Sequence, residues 1–168
     1  MTNCPHAYNT LRNEYPDFGG HYEVVHGTQL VADLVRAGRI RLSKSVDVDL
    51  AYHDPCYLGR TNGEYAAPRF LLRAVPGLTF REATLNHDRS MCCGAGGGRM
   101  WLEEKIGERI NQIRFGQLEA SGTRDVAVAC PYCFSMLSDA QKELGHEEAV
   151  TYDVIELVAM ALQDGEKA

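Results

Sequence analysis

The sequence predicts an α/β fold, a Rossmann-like layered arrangement with a mostly parallel sheet. Three observations carry that prediction. Short β-like runs alternate with helical stretches along the chain. At 168 residues the chain is long enough to bury a core as one compact domain. At least two of its three cysteine groups fall just beyond β-like runs, and open α/β sheets gather ligands at the carboxyl ends of their strands.

The elements follow in order. Runs at Tyr22–His26, Val46–Tyr52, Thr79–Glu82, Asp125–Ala129 and Ala149–Thr151 are short, apolar and bounded by Gly, Asp or charged residues, so they predict strands. Helices are expected between them. Thr28–Ala37 would bury Leu30, Val31 and Leu34, and Pro68–Val75 is short and apolar. Glu103–Ala120 carries Ile106, Ile110 and Ile113 at helical spacing, with the charges of residues 103–109 on a solvated face. Pro131–Leu144 carries Cys133, Met136, Leu137, Ala140 and Leu144, and Asp153–Leu162 opens on a capping pair, Asp153 and Glu156.

A weak internal repeat overlies this order. Cys4-Pro5-His6-Ala7 resembles Cys130-Pro131-Tyr132-Cys133, and each leads into a helix, a β-like run and a second helix. Residues 1–45 then read as the remnant of a first domain and 46–168 as a complete second one. On this reading the chain is the back half of a longer protein, or the product of a split gene.

Composition narrows the function. Hydrophobic residues make up 45% and charged residues 24%, ordinary for a globular protein. A net charge of −6 argues against nucleic acid as partner. No apolar run reaches the roughly 18 residues of a membrane span, and the N-terminus lacks the basic and apolar regions of a secretory signal. A reducing cytoplasm is therefore expected, where six cysteines suggest metal or redox use rather than disulfides.

Five of the six form three groups: Cys56, Cys92-Cys93, and Cys130 with Cys133. Thiolate is the form that binds metal, so the site must favour negative charge. Cys130 and Cys133 lie at a helix start with Pro131 in the first turn, where backbone N–H groups are free. Gly94, Gly96 and their neighbours up to Gly98 let backbone amides approach an anion closely. A thioredoxin-like dithiol would leave three cysteines unexplained, and a zinc site takes four ligands at most. A dinucleotide loop is excluded because the glycine spacing is wrong and Leu85–Met91 is polar.

The pattern Cys56-x35-Cys92-Cys93-Gly94-x35-Cys130-Pro131-x-Cys133 resembles the cysteine-rich CCG domain. That domain occurs in the B-type subunit of heterodisulfide reductase and in iron–sulfur subunits of glycolate oxidase, lactate utilisation and anaerobic glycerol-3-phosphate dehydrogenase. The stretches Tyr52–Arg60 and Cys92–Trp101 look most like membrane-associated bacterial Fe–S oxidoreductases that serve electron-transfer flavoprotein. The resemblance implies two domains in tandem. It also implies one noncubane [4Fe-4S] cluster on Cys56, Cys92, Cys93, Cys130 and Cys133. Electrons would pass from a flavoprotein, flavin dehydrogenase or ferredoxin-type partner to quinone or a disulfide. The chain would then be cytoplasmic and meet the inner face of the plasma membrane through its partners. Ala7, standing where the second copy has Cys133, leaves the first copy's site incomplete and Cys4 a relic or a buried thiol. A structural zinc on Cys56, Cys93, Cys130 and Cys133 is the alternative, and a nonfunctional fragment the third reading.

Around the cysteines, His53 and Asp54 are expected to donate or carry protons near the metal, or to serve strand-end turn chemistry. Arg60 and Arg99 are candidates to offset negative charge, and Tyr132 and Trp101 to exclude water. His6, His21, His26, His87 and His146 show no ligand spacing and are expected on the surface or in turns.

Overall fold

The computed structural model describes residues 1–102 and 106–162. Four strands, β1 (Asp49–Tyr52), β2 (Thr79–Glu82), β3 (Asp125–Val128) and β4 (Thr151–Asp153), form one all-parallel sheet in the order β2-β1-β3-β4. Leu50 pairs with Phe80 on one side and Asp125 on the other, so β1 is central. The chain leaves β1 toward β2 and returns to β3 on its opposite side, which makes the β1–β3 junction the topological switch point.

Alternation along β1 and β3 splits the core in two. Leu50, Tyr52, Ala127 and Ala129 face helices α2 (Gly27–Arg36), α3 (Ala66–Ala74) and α6 (Val154–Met160). Ala51, Val126 and Val128 face α4 (Ile110–Glu119) and α5 (Pro131–Glu143), with Phe115, Leu118 and Leu137 filling that side. No helix among the described residues is long and apolar enough to cross a membrane.

Several expectations need correction. Tyr22–His26 is no strand: only Thr2 and His26 form an isolated parallel bridge, and Tyr22 is exposed. The last strand lies two residues later than expected, and β1 starts at Asp49 because Val46 turns back to donate to the Pro76 carbonyl. Residues 103–105 of the expected helix Glu103–Ala120 lie outside the described residues, and its next part is not helical. Arg109 has extended φ/ψ and α4 begins at Ile110, with Ile106 95% exposed. On α2 the buried stripe is Thr28 and Ala32, with Val31 and Val35 partly covered, while Leu30 faces out.

The phase of α2 is set by its cap. His26 is buried, not superficial as expected: its Nδ1 accepts from the Thr28 N–H at 3.3 Å, and Gln29 Oε1 accepts from the His26 N–H at 3.0 Å. His26 Nε2, 3.1 Å from the Asn3 carbonyl, donates to it, so one neutral tautomer satisfies both contacts. The segment from Cys4 through α1 (Pro5–Asn9) and this bridge to α2 parallels the order β3, Cys130, α5, β4, α6. In both, the second helix carries a capping box, formed at α6 by Asp153 and Glu156 as expected.

Burial lowers the His26 pKa below 6.5, against the pull of Asn3 and Glu64. Below pH 6.5 the unfolded chain binds a proton that the folded one refuses, so the contribution of this cap falls as the pH drops through that window. His26→Ala should cost about 1–2 kcal/mol in urea unfolding at about pH 8. The gap between wild type and variant should narrow toward about pH 5; a gap that widens would refute the neutral cap.

Candidate metal centre

The three cysteine groups meet at the switch point. Cys56 follows β1 in the turn after Pro55, and Cys130 follows β3 as the extended residue capping α5 (φ −160°, ψ 128°), with Pro131 opening the helix. Cys92 and Cys93 arrive on the loop after β2. All five line one small cavity, roofed by Pro5, His6, Tyr57 and Tyr132.

The thiols act on one another in an unbroken series, Cys56 to Cys92 to Cys93 to Cys133 to Cys130. The series pushes its members in opposite directions, Cys92 and Cys130 down and Cys56, Cys93 and Cys133 up. Cys92 is driven far down by hydrogen bonds from the thiols of Cys56 and Cys93 and by the backbone N–H groups of Gly94 and Gly96, which together outweigh burial. Gly94 N lies 3.3 Å from Cys92 Sγ. Cys130 is lowered by the Cys133 thiol and, against burial, by the N–H groups of Cys133 and Tyr132 at the start of α5. Cys56 is raised by its bond to Cys92 and by burial, and Cys133 by Cys130, Cys93 and burial. For Cys93 the bond to Cys133 lowers, but Cys92 and burial prevail and push it up to about 12. Cys92 and Cys130 thus sit on amide donors suited to negative charge.

The glycines divide. Gly94 has φ +93°, and a Cβ there would meet Ile110 Cβ at 3.2 Å and Met136 Cε at 3.3 Å, so no side chain fits. Gly96 has open space and an ordinary φ, so what it supplies is its N–H.

One buried ion pair holds the cysteine loops. Asp54 accepts from Arg69 Nη1 at 2.7 Å and Nη2 at 2.8 Å, and from the His87 N–H at 2.8 Å. Arg69, only 4% exposed, also donates through Nε to Glu82 at 2.7 Å. Burial alone would raise Asp54, but the Arg69 hydrogen bonds and charge, with the His87 N–H, hold it below the usual carboxylate range. Asp54 is thus committed to an arginine rather than to proton carriage, and its partner Arg69 went unrecognised in the sequence. His87 adopts φ +53° to make its bond. Arg60 reinforces the same loop by donating to the carbonyls of Asp88 (3.1 Å) and Ser90 (2.5 Å), so it braces the approach to Cys92.

His53 is fully buried, and one of its ring nitrogens lies within 4.8 Å of the sulfurs of Cys93 and Cys133. Its Nδ1 accepts from Arg114 Nε at 3.1 Å. Burial first, then the Arg114 charge, lower its pKa to about 3, so the ring is neutral. Arg114 itself is fully buried. Sequence reasoning missed it because the helix was phased on Ile106, Ile110 and Ile113; the spacing Asn111, Arg114, Phe115, Leu118 marks the face that is buried.

The outlying candidates fall outside the cavity wall. Arg99 and Trp101 (79% exposed) lie beyond the glycine turn, so Trp101 does not exclude water from the thiols. Tyr132 does line the cavity, at 39% exposure. Cys4 is half-buried and not part of the wall, whereas His6, expected on the surface, stacks 4.2 Å from the Tyr57 ring and 5.2 Å from Tyr132.

A family model for the cysteine-rich domain CCG matches residues 50–138. The chain is 46% identical over 163 residues to the probable iron-sulfur-binding oxidoreductase FadF of Bacillus subtilis (strain 168), covering 96% of this chain and 23% of that protein. It is 43% identical over 168 residues to the EtfAB:quinone oxidoreductase of Syntrophomonas wolfei, covering 95% and 23%. It is 35% identical over 162 residues to one subunit of the dihydromethanophenazine:CoB–CoM heterodisulfide reductase of Methanosarcina barkeri, covering 95% and 39%. The chain therefore spans well under half the length of these relatives.

Two substitution pairs test this geometry by urea unfolding. Arg69→Met, which strands the Asp54 carboxylate, should cost about 3–5 kcal/mol, and Arg81→Met, which opens the exposed pair with Asp49, about 1 kcal/mol or less. Gly94→Ala should cost about 1–3 kcal/mol and Gly96→Ala under about 0.5 kcal/mol. Equal costs within either pair would contradict the site as described.

Proposed function

The chain belongs to the cysteine-rich CCG domain family, and on that premise we propose that it is an iron–sulfur redox module in which Cys56, Cys92, Cys93, Cys130 and Cys133 hold one noncubane [4Fe-4S] cluster. The observation that carries the reading is the unbroken thiol series around a single cavity, built from three sequence-distant groups. The donor set suits such a group: all sulfur, with backbone N–H donors that favour the thiolate at Cys92 and Cys130. Zinc takes four ligands at most and would leave a thiol idle.

When bound, the cluster supplies reversible electron storage at a potential set by its charge and by hydrogen bonds to its sulfurs. The protein's own part is to orient five sulfurs, to donate amide hydrogen bonds through Gly94 and Gly96, and to exclude bulk water with His6, Tyr57 and Tyr132. Tyr57 and Tyr132 are 37% and 39% exposed, so the cavity lies one side chain beneath the surface, where a redox partner can approach.

The proposed role lies between a flavoprotein, flavin dehydrogenase or ferredoxin-type donor and a quinone or disulfide acceptor. The names of the relatives support that range, one an EtfAB:quinone oxidoreductase and one part of a heterodisulfide reductase. Contact with a membrane acceptor would run through partners. Residues 1–45 are proposed as the tail of a first CCG-type copy and 46–168 as the cluster-holding copy. The repeated order of Cys-Pro helix, parallel bridge and box-capped helix supports this, with Ala7 standing where Cys133 completes the second copy.

Purified without oxygen, the chain should be brown and carry about four irons and a similar amount of acid-labile sulfide. Cys93→Ser should abolish the colour, and Cys4→Ser should leave it intact. A colourless protein holding one zinc would overturn the reading in favour of a zinc-stapled structural domain.

A further inference from the structure

Arg114 is a buried cation with no ion-pair partner among the described residues. It is 0% exposed, and its partners are neutral: His53 Nδ1, the Leu85 carbonyl at 3.0 Å and Gln117 Oε1 at 3.0 Å. Its Nη2 is buried and donates to nothing among the described residues. The acid that attracts it most, Asp54, already accepts from both terminal nitrogens of Arg69 and from the His87 N–H. The other groups that act on it are the thiols of Cys133 and Cys93. A guanidinium stays charged at neutral pH, and burying it unpaired is strongly unfavourable. A fold keeps such a group where an anion belongs.

His53 stands between. An arginine N–H can only donate, so His53 Nδ1 accepts and the proton of the neutral ring sits on Nε2. That Nε2 is buried and unpartnered, and the ring reaches within 4.8 Å of the Cys93 and Cys133 sulfurs. Its lone pair is occupied by the proton, which removes His53 as a metal ligand beside those two cysteines.

We propose that Arg114 is the built-in countercharge of the anion held by the five cysteines, and that His53 relays it by donating its Nε2–H to the Cys93–Cys133 sulfur pair. The inference rests on the cluster reading above and assigns these two residues the regulation of its potential. Extra electrons add negative charge, so a fixed cation and a donated hydrogen bond favour the reduced state.

Redox titration of the whole reconstituted chain, followed by visible and electron paramagnetic resonance spectra, tests it. Arg114→Gln should lower the reduced-to-oxidised ratio at least tenfold at a given potential, which is about 59 mV for a one-electron couple. Arg114→Lys, which keeps the charge, should shift less, and His53→Phe should move in the same direction as Arg114→Gln. The metal-free proteins supply a second readout: with no anion present, Arg114→Gln should unfold at a temperature no lower than wild type. A metal-free Arg114→Gln that fails to fold, or melts well below wild type, overturns the proposal, because Arg114 would then serve the empty fold. A loaded wild type whose potential Arg114→Gln leaves unchanged overturns it alone. A wild type that takes up no iron or sulfide removes the cluster reading and this inference together.

Discussion

The carboxylate of Asp54, buried against Arg69, is the constraint on which the rest of the site depends. A charge taken out of water must find nearly all of its hydrogen bonds, and the Asp54 carboxylate finds them on two elements, α3 through Arg69 and the loop after β2 through the His87 N–H, while the Ser90 hydroxyl of that loop donates to the Asp54 backbone carbonyl at 3.2 Å. Two of those contacts lie on the stretch that delivers Cys92 and Cys93, while Asp54 itself stands two residues before Cys56. Apolar packing could cover the same ground, but it is not directional. The ion pair ties the register of two loops to the end of the central strand, and the thiols inherit that register.

The sheet supplies the other half. Because the chain reverses direction between β1 and β3, their carboxyl ends open a crevice that no crossover covers. One face of the crevice receives α5, whose first turn presents Cys130 and Cys133. The other side receives the Cys92 loop, whose glycines turn amide hydrogens toward sulfur. The local field is graded: amide donors at Cys92 and Cys130, a neutral imidazole beside Cys93 and Cys133, and the Arg114 guanidinium behind that imidazole.

Much of this was legible in the sequence, for identifiable reasons. Short runs such as Thr79–Glu82 and Asp125–Val128 are bounded by turn residues and have only one comfortable conformation, and cysteine spacing is a sparse signal that little else mimics. Tyr22–His26 misled because its apolar residues satisfy a strand pattern while no neighbouring edge is there to pair beyond Thr2. Ile106 misled because a spacing of four continues a helical stripe on paper but not across Gly107, which takes φ +72°. Arg69 and Arg114 were the harder cases. Arginine is read as surface by default, and only the neighbours at helical spacing, Leu72 beside Arg69 and Phe115 with Leu118 around Arg114, show that those positions point inward. Arg60 and Arg99 attracted notice by standing near cysteines in the chain, although nearness along the chain says nothing about which way a side chain turns.

The roof of the cavity has a different origin from its walls. Every thiol comes from beyond residue 49, yet Pro5 and His6 close the top, with the imidazole stacked against Tyr57 and Tyr132. A boundary drawn ahead of β1 would keep all five thiols and strip Pro5 and His6 from above them. Shelter for the sulfurs is thus lent by the N-terminal helix, a segment that adds none of the five thiols in the wall.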